Sequence, residues 1–243
     1  PHSHKGIVAG TCGNLPNYIG APIKAELEKT FGLPVTVAND ANCMTLGEVW
    51  VGGAQGYTDV IGVTLGTGVG GGIVVEGKLL HGAHGSGAEI GHMVLNRDET
   101  AVCGCGKRGC VEQYCSATGI VRMAKLALEA SDEDSALRHL SNLTCKDIFD
   151  AGKQGDQLAL QVLDKYYAYM GEFLADVCCV VNPEVVVLGG GVSKAGDVLL
   201  DGLKPYFNKY VFHAASNVKF TLAALGNDAG AYGAFKLALD AAK

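Results

Sequence analysis

Runs of β-branched and aliphatic residues alternate with stretches of helical period along the 243-residue chain. Strands are predicted over 6–9, 35–38, 60–65, 72–76, 185–188 and 218–223, the central ones being unbroken Val/Ile/Leu runs of the kind buried on both faces. Helices should therefore cover both sides of the sheet. Pro22 stands where a first helical turn begins, and Ile23, Leu27 and Phe31 recur at near-helical spacing until Gly32. A second helix should follow Asn39-Asp40. The longest periodic segment, 157–181, sets Leu158, Val162, Met170, Leu174, Val177 and Val181 close to one face before Asn182-Pro183 stops it. Residues 184–212 then read as a strand, a triple-glycine turn and a helix whose Leu199, Leu200 and Leu203 pack back on the sheet, and a last amphipathic helix covers 229–242. The composite is an α/β protein whose two glycine turns suggest two lobes around a cleft.

Composition narrows the classes. Apolar residues make up 48% and charged residues 18%, enough for a sizeable core in one or two domains. The net charge of −6, with no long run of either sign, argues against binding to nucleic acid or a membrane surface. The longest apolar stretch, 173–192, is interrupted by Asp176, Asn182, Pro183 and Glu184 and so cannot span a bilayer. Pro1 rather than Met opens the chain, so its natural start is expected to be missing. Glycines number 35, about twice the usual ~7%. Nine cysteines, an odd number in a chain too large to need disulfide staples, point to a reducing cytoplasm with some sulfurs held by metal.

The glycines concentrate in turns. Residues 65–72 read LGTGVGGG between two predicted strands. Gly66, Gly68 and Gly71 satisfy the letters of a dinucleotide fingerprint, but that motif sets pyrophosphate on a following helix, and here a strand follows; no Walker Lys is present either. What remains is a hairpin, either plain or one whose N–H groups and Thr67 hydroxyl hold phosphoryl oxygens. Gly189, Gly190 and Gly191 form the second turn, either a tight strand-to-helix connection or a flat wall for a nucleoside. Together the two turns favour a nucleotide.

Metal chemistry has a sharper signature. CGCGKRGC at 103–110 brings Cys103, Cys105 and Cys110 together, with His92 eleven residues ahead, the donor set of a closed structural zinc site. Cys12, Cys43, Cys115, Cys145, Cys178 and Cys179 lack such spacing and read as small buried hydrophobes. Glu89 precedes His92 by three residues and Glu112 follows Cys110 by two, so a metal that fixes the ligands also positions both carboxylates. Asn39-Asp40 reads either as an ordinary helix start, Asp40 capping and Asn39 closing the turn, or as part of a polyol site with those carboxylates. In the second reading one carboxylate near the reacting hydroxyl takes its proton.

The segments NDAN (39–42), LGTGVGGGIVVEGKLLHGAHGSGAEIGH (65–92), CGCGKRGCVE (103–112), SATGI (116–120), LGGGVSKAG (188–196) and GNDAGAYGA (226–234) lie in order along nearly the whole chain. As a set they resemble the ROK sugar kinases, and within them the bacterial glucokinases. The resemblance implies an actin-like ATPase (ribonuclease H-like) two-lobed fold and ATP-dependent phosphorylation of a hexose, glucose first, at its 6-hydroxyl. It implies Asp40 as general base and Asn39, Asp40, Glu89, His92 and Glu112 as sugar ligands, His92 serving zinc and sugar through its two nitrogens. Cys103, Cys105 and Cys110 would complete the zinc site. Gly66, Thr67, Gly68 and Gly70 would face the phosphates of ATP, Gly189 to Gly191 the adenosine, with Mg²⁺ bound alongside. A cytoplasmic homodimer or higher oligomer is the implied setting.

The family's Asp-x-Gly-Gly-Thr phosphate loop and its later Gly-x-Pro-Gly segment are not in the sequence. The chain is therefore expected to be the family without about its first quarter, with 1–44 and 228–243 as the remnant of an incomplete small lobe and 45–227 as the large lobe. Two other readings follow from that gap: a sugar-sensing transcriptional regulator, which the family also contains, and a sugar-binding fragment without activity of its own.

Overall fold

A computed structural model describes residues 6–8 and 17–242. The two buried apolar runs form its centre: β1 (Val60–Leu65) and β4 (Val185–Gly189) pair in parallel, Val60 opposite Val185 through Thr64 opposite Gly189. β2 (Val69–Val75) returns antiparallel to β1, β3 (Lys78–Leu79) extends that edge, and β5 (Lys219–Leu222) lies parallel to β4, giving the order β3-β2-β1-β4-β5. Strands buried on both faces need cover on both. One face carries α4 (Ala117–Ala130), α5 (Cys145–Lys153), α6 (Gln157–Val181) and α7 (Asp197–Tyr210), and the main core forms there, with Ile61, Val63, Leu65, Val186 and Leu188 among its buried residues alongside Met170, Phe173, Leu199 and Leu203. The opposite face buries Val60, Val74, Val185 and Val187 in a smaller cluster with Ala54.

That second face is covered by α2 (Asp40–Val51), with α8 (Ala229–Ala241) against it. The helix lies close on the sheet because Gly62 and Gly72, paired across β1 and β2, leave room for Thr45. A Cβ on either would stand 2.0 or 2.2 Å from its Oγ1.

Several elements differ from the sequence pattern. No strand forms at 35–38: an apolar run needs a ladder partner, and the Val35 N–H is donated instead to the Glu28 carboxylate at 3.2 Å. β2 begins at Val69 rather than at 72, because Gly70 and Gly71, which read as turn residues, pair with Thr64 and Val63. Of the predicted strand at 6–9, Ala9 falls outside the described residues, and Val8 bonds to the loop at Gly20 and Ala21. α1 (Ile23–Phe31) forms between Pro22 and Gly32, yet its stripe is not buried: Leu27 is 38% and Phe31 66% exposed, since no described element covers them. α2 runs unbroken across 44–45, so a lobe boundary there coincides with no break in the helix. Cys43, Cys115 and Cys178 are buried and Cys145 partly so, whereas Cys179, a 100° step round α6 from Cys178, is exposed; Cys12 lies outside the described residues. Among the described residues no helix is long and apolar enough to cross a membrane.

Candidate functional site

The first residues of β2 gather the candidate side chains. At Gly70, a Cβ would meet Ala41 Cβ at 2.8 Å, so the start of α2, with Asn39 and Asp40, is seated on this glycine. At Gly71 it would meet the Ala88 carbonyl oxygen at 2.5 Å, and at Gly91 the Val69 carbonyl oxygen at 2.0 Å, which lays the segment carrying Glu89 and His92 along the same strand. Glu112, first residue of α3 (Glu112–Cys115), accepts the Val69 N–H at 3.1 Å through Oε2. The glycine run thus assembles the predicted acceptor residues from three separate parts of the sequence. Gly70, which the sequence reading places toward phosphate, is a strand residue under α2.

The helix start is the reverse of the ordinary-cap expectation. Asn39 caps α2, its Oδ1 accepting the N–H groups of Ala41 at 2.9 Å and Asn42 at 3.3 Å. Asp40 is exposed, and its carboxylate forms no hydrogen bond or ion pair with any described residue. Beyond its favourable place in the first turn of α2, this exposed carboxylate is free to accept a hydroxyl donor.

His92, Cys103, Cys105 and Cys110 present ligand atoms within 4.8 Å of one another. His92 Nδ1 lies 3.8 Å from Cys103 Sγ, and Cys105 Sγ 3.5 Å from Cys110 Sγ. Metal–sulfur bonds of ~2.3 Å in a tetrahedron imply sulfur separations of about 3.8 Å, so the four donors are near enough to share one divalent ion. Burial and hydrogen bonding to its neighbour sulfurs push the Cys110 thiol up to about 12. Burial also acts upward on Cys105, but the Lys107 N–H, the neighbouring sulfurs and the Lys107 charge bring it below the usual thiol value. Ionising all three of these neighbouring sulfurs together would need a cation among them, which a divalent metal supplies. The loop itself is short of core and is tied by Cys103 N–H to Lys107 O, Gly106 N–H to Cys103 O, and Lys107 Nζ to the His92 carbonyl.

The hairpin turn 66–68 has a directional hydrogen-bond pattern. Its three carbonyls are all used: Gly68 O by Gly66 N–H at 3.0 Å, Gly66 O by Ala117 N–H at 2.8 Å, and Thr67 O by the Thr118 hydroxyl at 2.6 Å. The N–H groups of Thr67 and Gly68 and the Thr67 hydroxyl have no partner among the described residues. A turn whose carbonyls are all engaged and whose adjacent N–H donors are open can receive an anion. The second glycine turn stands beside it: Gly190, at φ 86°, passes so close to the end of β1 that a Cβ would lie 2.6 Å from Leu65 O. Both turns sit outside the carboxyl ends of the parallel strands β1 and β4, where open α/β sheets place ligands. A cleft of about 510 Å³ opens next to Thr67, with Val121, Lys125, Leu143 and Cys145 in its walls.

Two polar centres escaped the sequence reading. Glu48 is fully buried on α2 and accepts N–H groups from Gly53 at 2.7 Å, Ala224 at 2.9 Å and Leu225 at 2.9 Å, tying the helix that carries Asp40 to the segment after β5. Glu99 accepts the Tyr114 hydroxyl and Arg122, each at 2.6 Å, and the Ala101 N–H at 2.9 Å, joining the cysteine loop to α3 and α4. Burial acts to raise its carboxyl, but these donors and the Arg122 charge outweigh it and hold it down to about 2. Neither residue stands in a motif, because each is answered by partners far away in sequence or by backbone.

A glucokinase of Halalkalibacterium halodurans is 45% identical over 216 residues, covering 87% of this chain and 66% of the relative, so the chain spans about two thirds of its length. Among solved structures, a ROK family glucokinase from Streptomyces griseus in complex with glucose and AMPPNP superposes with a TM-score of 0.84 at 36% identity, covering 96% of this chain and 77% of that one. A ROK family transcriptional regulator, a homologue of the E. coli MLC protein, reaches the same TM-score at 29% identity, covering 96% and 58%. With the mixed sheet, the side chains gathered on the glycines of β2 and the cysteine loop all in place, and with the ROK family pattern matching residues 7–241, the chain belongs to the ROK family.

Proposed function

We propose that the protein containing this chain transfers the γ-phosphoryl group of ATP to the 6-hydroxyl of a hexose, most favourably glucose. The observation that carries this reading is the shared strand β2, whose first residues hold a turn with open N–H donors on one side and, on the other, carboxylates that form no salt bridge among the described residues. Similarity to glucokinases supports the choice of sugar.

In this mechanism Asp40 accepts the proton of the 6-hydroxyl as its oxygen bonds to the γ-phosphorus and the bond to ADP breaks; the products are hexose 6-phosphate and ADP. Asn39, Glu89, Glu112 and the outer nitrogen of His92 take the remaining hydroxyls. Thr67, Gly66 and Gly68 receive phosphoryl oxygens, and Gly189 to Gly191 the adenosine, with Mg²⁺ accompanying the nucleotide. Zinc is the ion proposed for His92, Cys103, Cys105 and Cys110. With four protein donors and no open position it supplies rigidity, not an activated water. Residues 1–44 and 228–243 are proposed to belong to the smaller of two lobes.

Calorimetric titration with glucose and with ATP tests the reading, together with Asp40→Asn. Both ligands should bind, and the variant should lose about 10²–10⁴ in kcat while keeping its sugar affinity within a few-fold. Equal turnover by the variant removes Asp40 as base. Binding of sugar without ATP, in the protein that contains the complete chain, favours the regulator.

A further inference from the structure

The two halves of the proposed site share one carboxylate. Glu112 Oε2 rests on the Val69 N–H at 3.1 Å and lies 2.2 Å from where a side chain on Gly68 would begin. The two preceding amides, Thr67 and Gly68, are the open donors of the turn. Successive amide nitrogens lie within about 4 Å of each other, so a phosphoryl oxygen on Gly68 and the Glu112 carboxylate occupy neighbouring positions of one row of N–H groups. Among the described residues Glu112 forms no salt bridge: its second oxygen, Oε1, faces Cys103 Sγ at 3.7 Å, and Lys107 in the same loop is engaged with the His92 carbonyl. A nucleotide polyphosphate entering the turn therefore meets a like charge, held in place by the same strand end.

We propose that Glu112 is an electrostatic gate on the nucleotide site. With no sugar present its charge weakens polyphosphate binding at 66–68. Hydroxyl donors of a bound sugar disperse that charge, so ATP binds well only when its acceptor is in place. The gate rests on the kinase reading of both ligands and adds to it an order of binding and a protection of ATP from transfer to water. By linkage the effect is reciprocal: nucleotide strengthens sugar binding by the same factor. It requires no moving lid.

The test is titration of a non-hydrolysable ATP analogue with Mg²⁺ into the wild type, Glu112→Gln and Glu112→Asp, each with and without saturating glucose, at low and high salt. In the wild type, glucose should tighten analogue binding about tenfold at low salt and less at high salt, since like-charge repulsion is screened. Glu112→Gln, without glucose, should bind the analogue about as tightly as the glucose-saturated wild type, whereas Glu112→Asp, which keeps the charge, should stay weak. The glucose-free comparison is decisive because it is independent of any sugar affinity the Gln variant loses. Analogue binding by glucose-free Glu112→Gln no tighter than by the wild type overturns the gate and leaves the kinase reading standing. No analogue binding by any protein, with glucose or without, overturns the kinase reading and the gate with it.

Discussion

Replacing Glu48 offers a quantitative check on how the helix that carries Asp40 is held. Its Oε2 accepts two N–H groups, from Gly53 and Ala224, and its Oε1 accepts one, from Leu225. In Glu48→Gln the amide oxygen can take the place of Oε2, which leaves the Leu225 N–H facing an NH₂ group. One buried donor without an acceptor costs about 1–3 kcal/mol, so a loss of about 2 kcal/mol is expected. Glu48→Ala strands all three donors in a site that is 0% exposed and adds a cavity, for a loss of about 4–5 kcal/mol. For a chain of this size each kcal/mol corresponds to about 2–4 °C in Tm, giving a fall of about 4–8 °C for Gln and about 8–20 °C for Ala. Urea unfolding and calorimetry measure both, and amide exchange at Ala224 and Leu225 should accelerate before global unfolding. If the Ala variant is no less stable than the Gln variant, or both lie within 0.5 kcal/mol of the wild type, the three N–H groups have other acceptors and the clamp is wrong.

Three further outcomes follow from the site. Because the folded Glu99 carboxyl is held at about 2, below its ordinary value of about 4.3, its stabilisation is fully present above that ordinary value and is lost as pH falls toward 2; Glu99→Gln should flatten the decline of unfolding free energy between pH 5 and 2.5 relative to the wild type, and parallel curves would refute the network. Gly70→Ala forces a Cβ against Ala41 and Thr64 and should cost about 1–3 kcal/mol together with a weakened glucose affinity; an unchanged affinity would separate α2 seating from the acceptor site. Metal analysis of protein purified without chelator should give about one zinc per chain, falling sharply in Cys105→Ser; substantially less than one equivalent in the wild type contradicts the tetrahedral site.

Much of this arrangement is readable without coordinates, for identifiable reasons. α6 spans Gln157–Val181 as its periodicity predicts, because Asp156 caps it and Asn182 adopts the left-handed turn that ends it. The cysteine loop is legible because three of its four donors lie within eight consecutive residues. Gly70 and Gly71 are misread because glycine signals a turn when only local conformation is considered, while here it makes room for a helix and a loop arriving from elsewhere. The cap at Asn39 in place of Asp40 is a matter of one residue of register, which composition cannot decide since both are good caps. Glu48 is hidden for a different reason: its partners at 224 and 225 are backbone N–H groups, which every sequence contains.

The most direct measurement is transfer of labelled γ-phosphoryl from ATP to sugar, followed by product identification, in the protein containing this chain. Glucose should yield ADP and glucose 6-phosphate in equal amounts, 6-deoxyglucose should yield none, and Asp40→Asn should suppress transfer with sugar binding intact. Glucose binding of normal affinity with no phosphoryl transfer, or label appearing on any hydroxyl but the 6-hydroxyl, would contradict the proposed site.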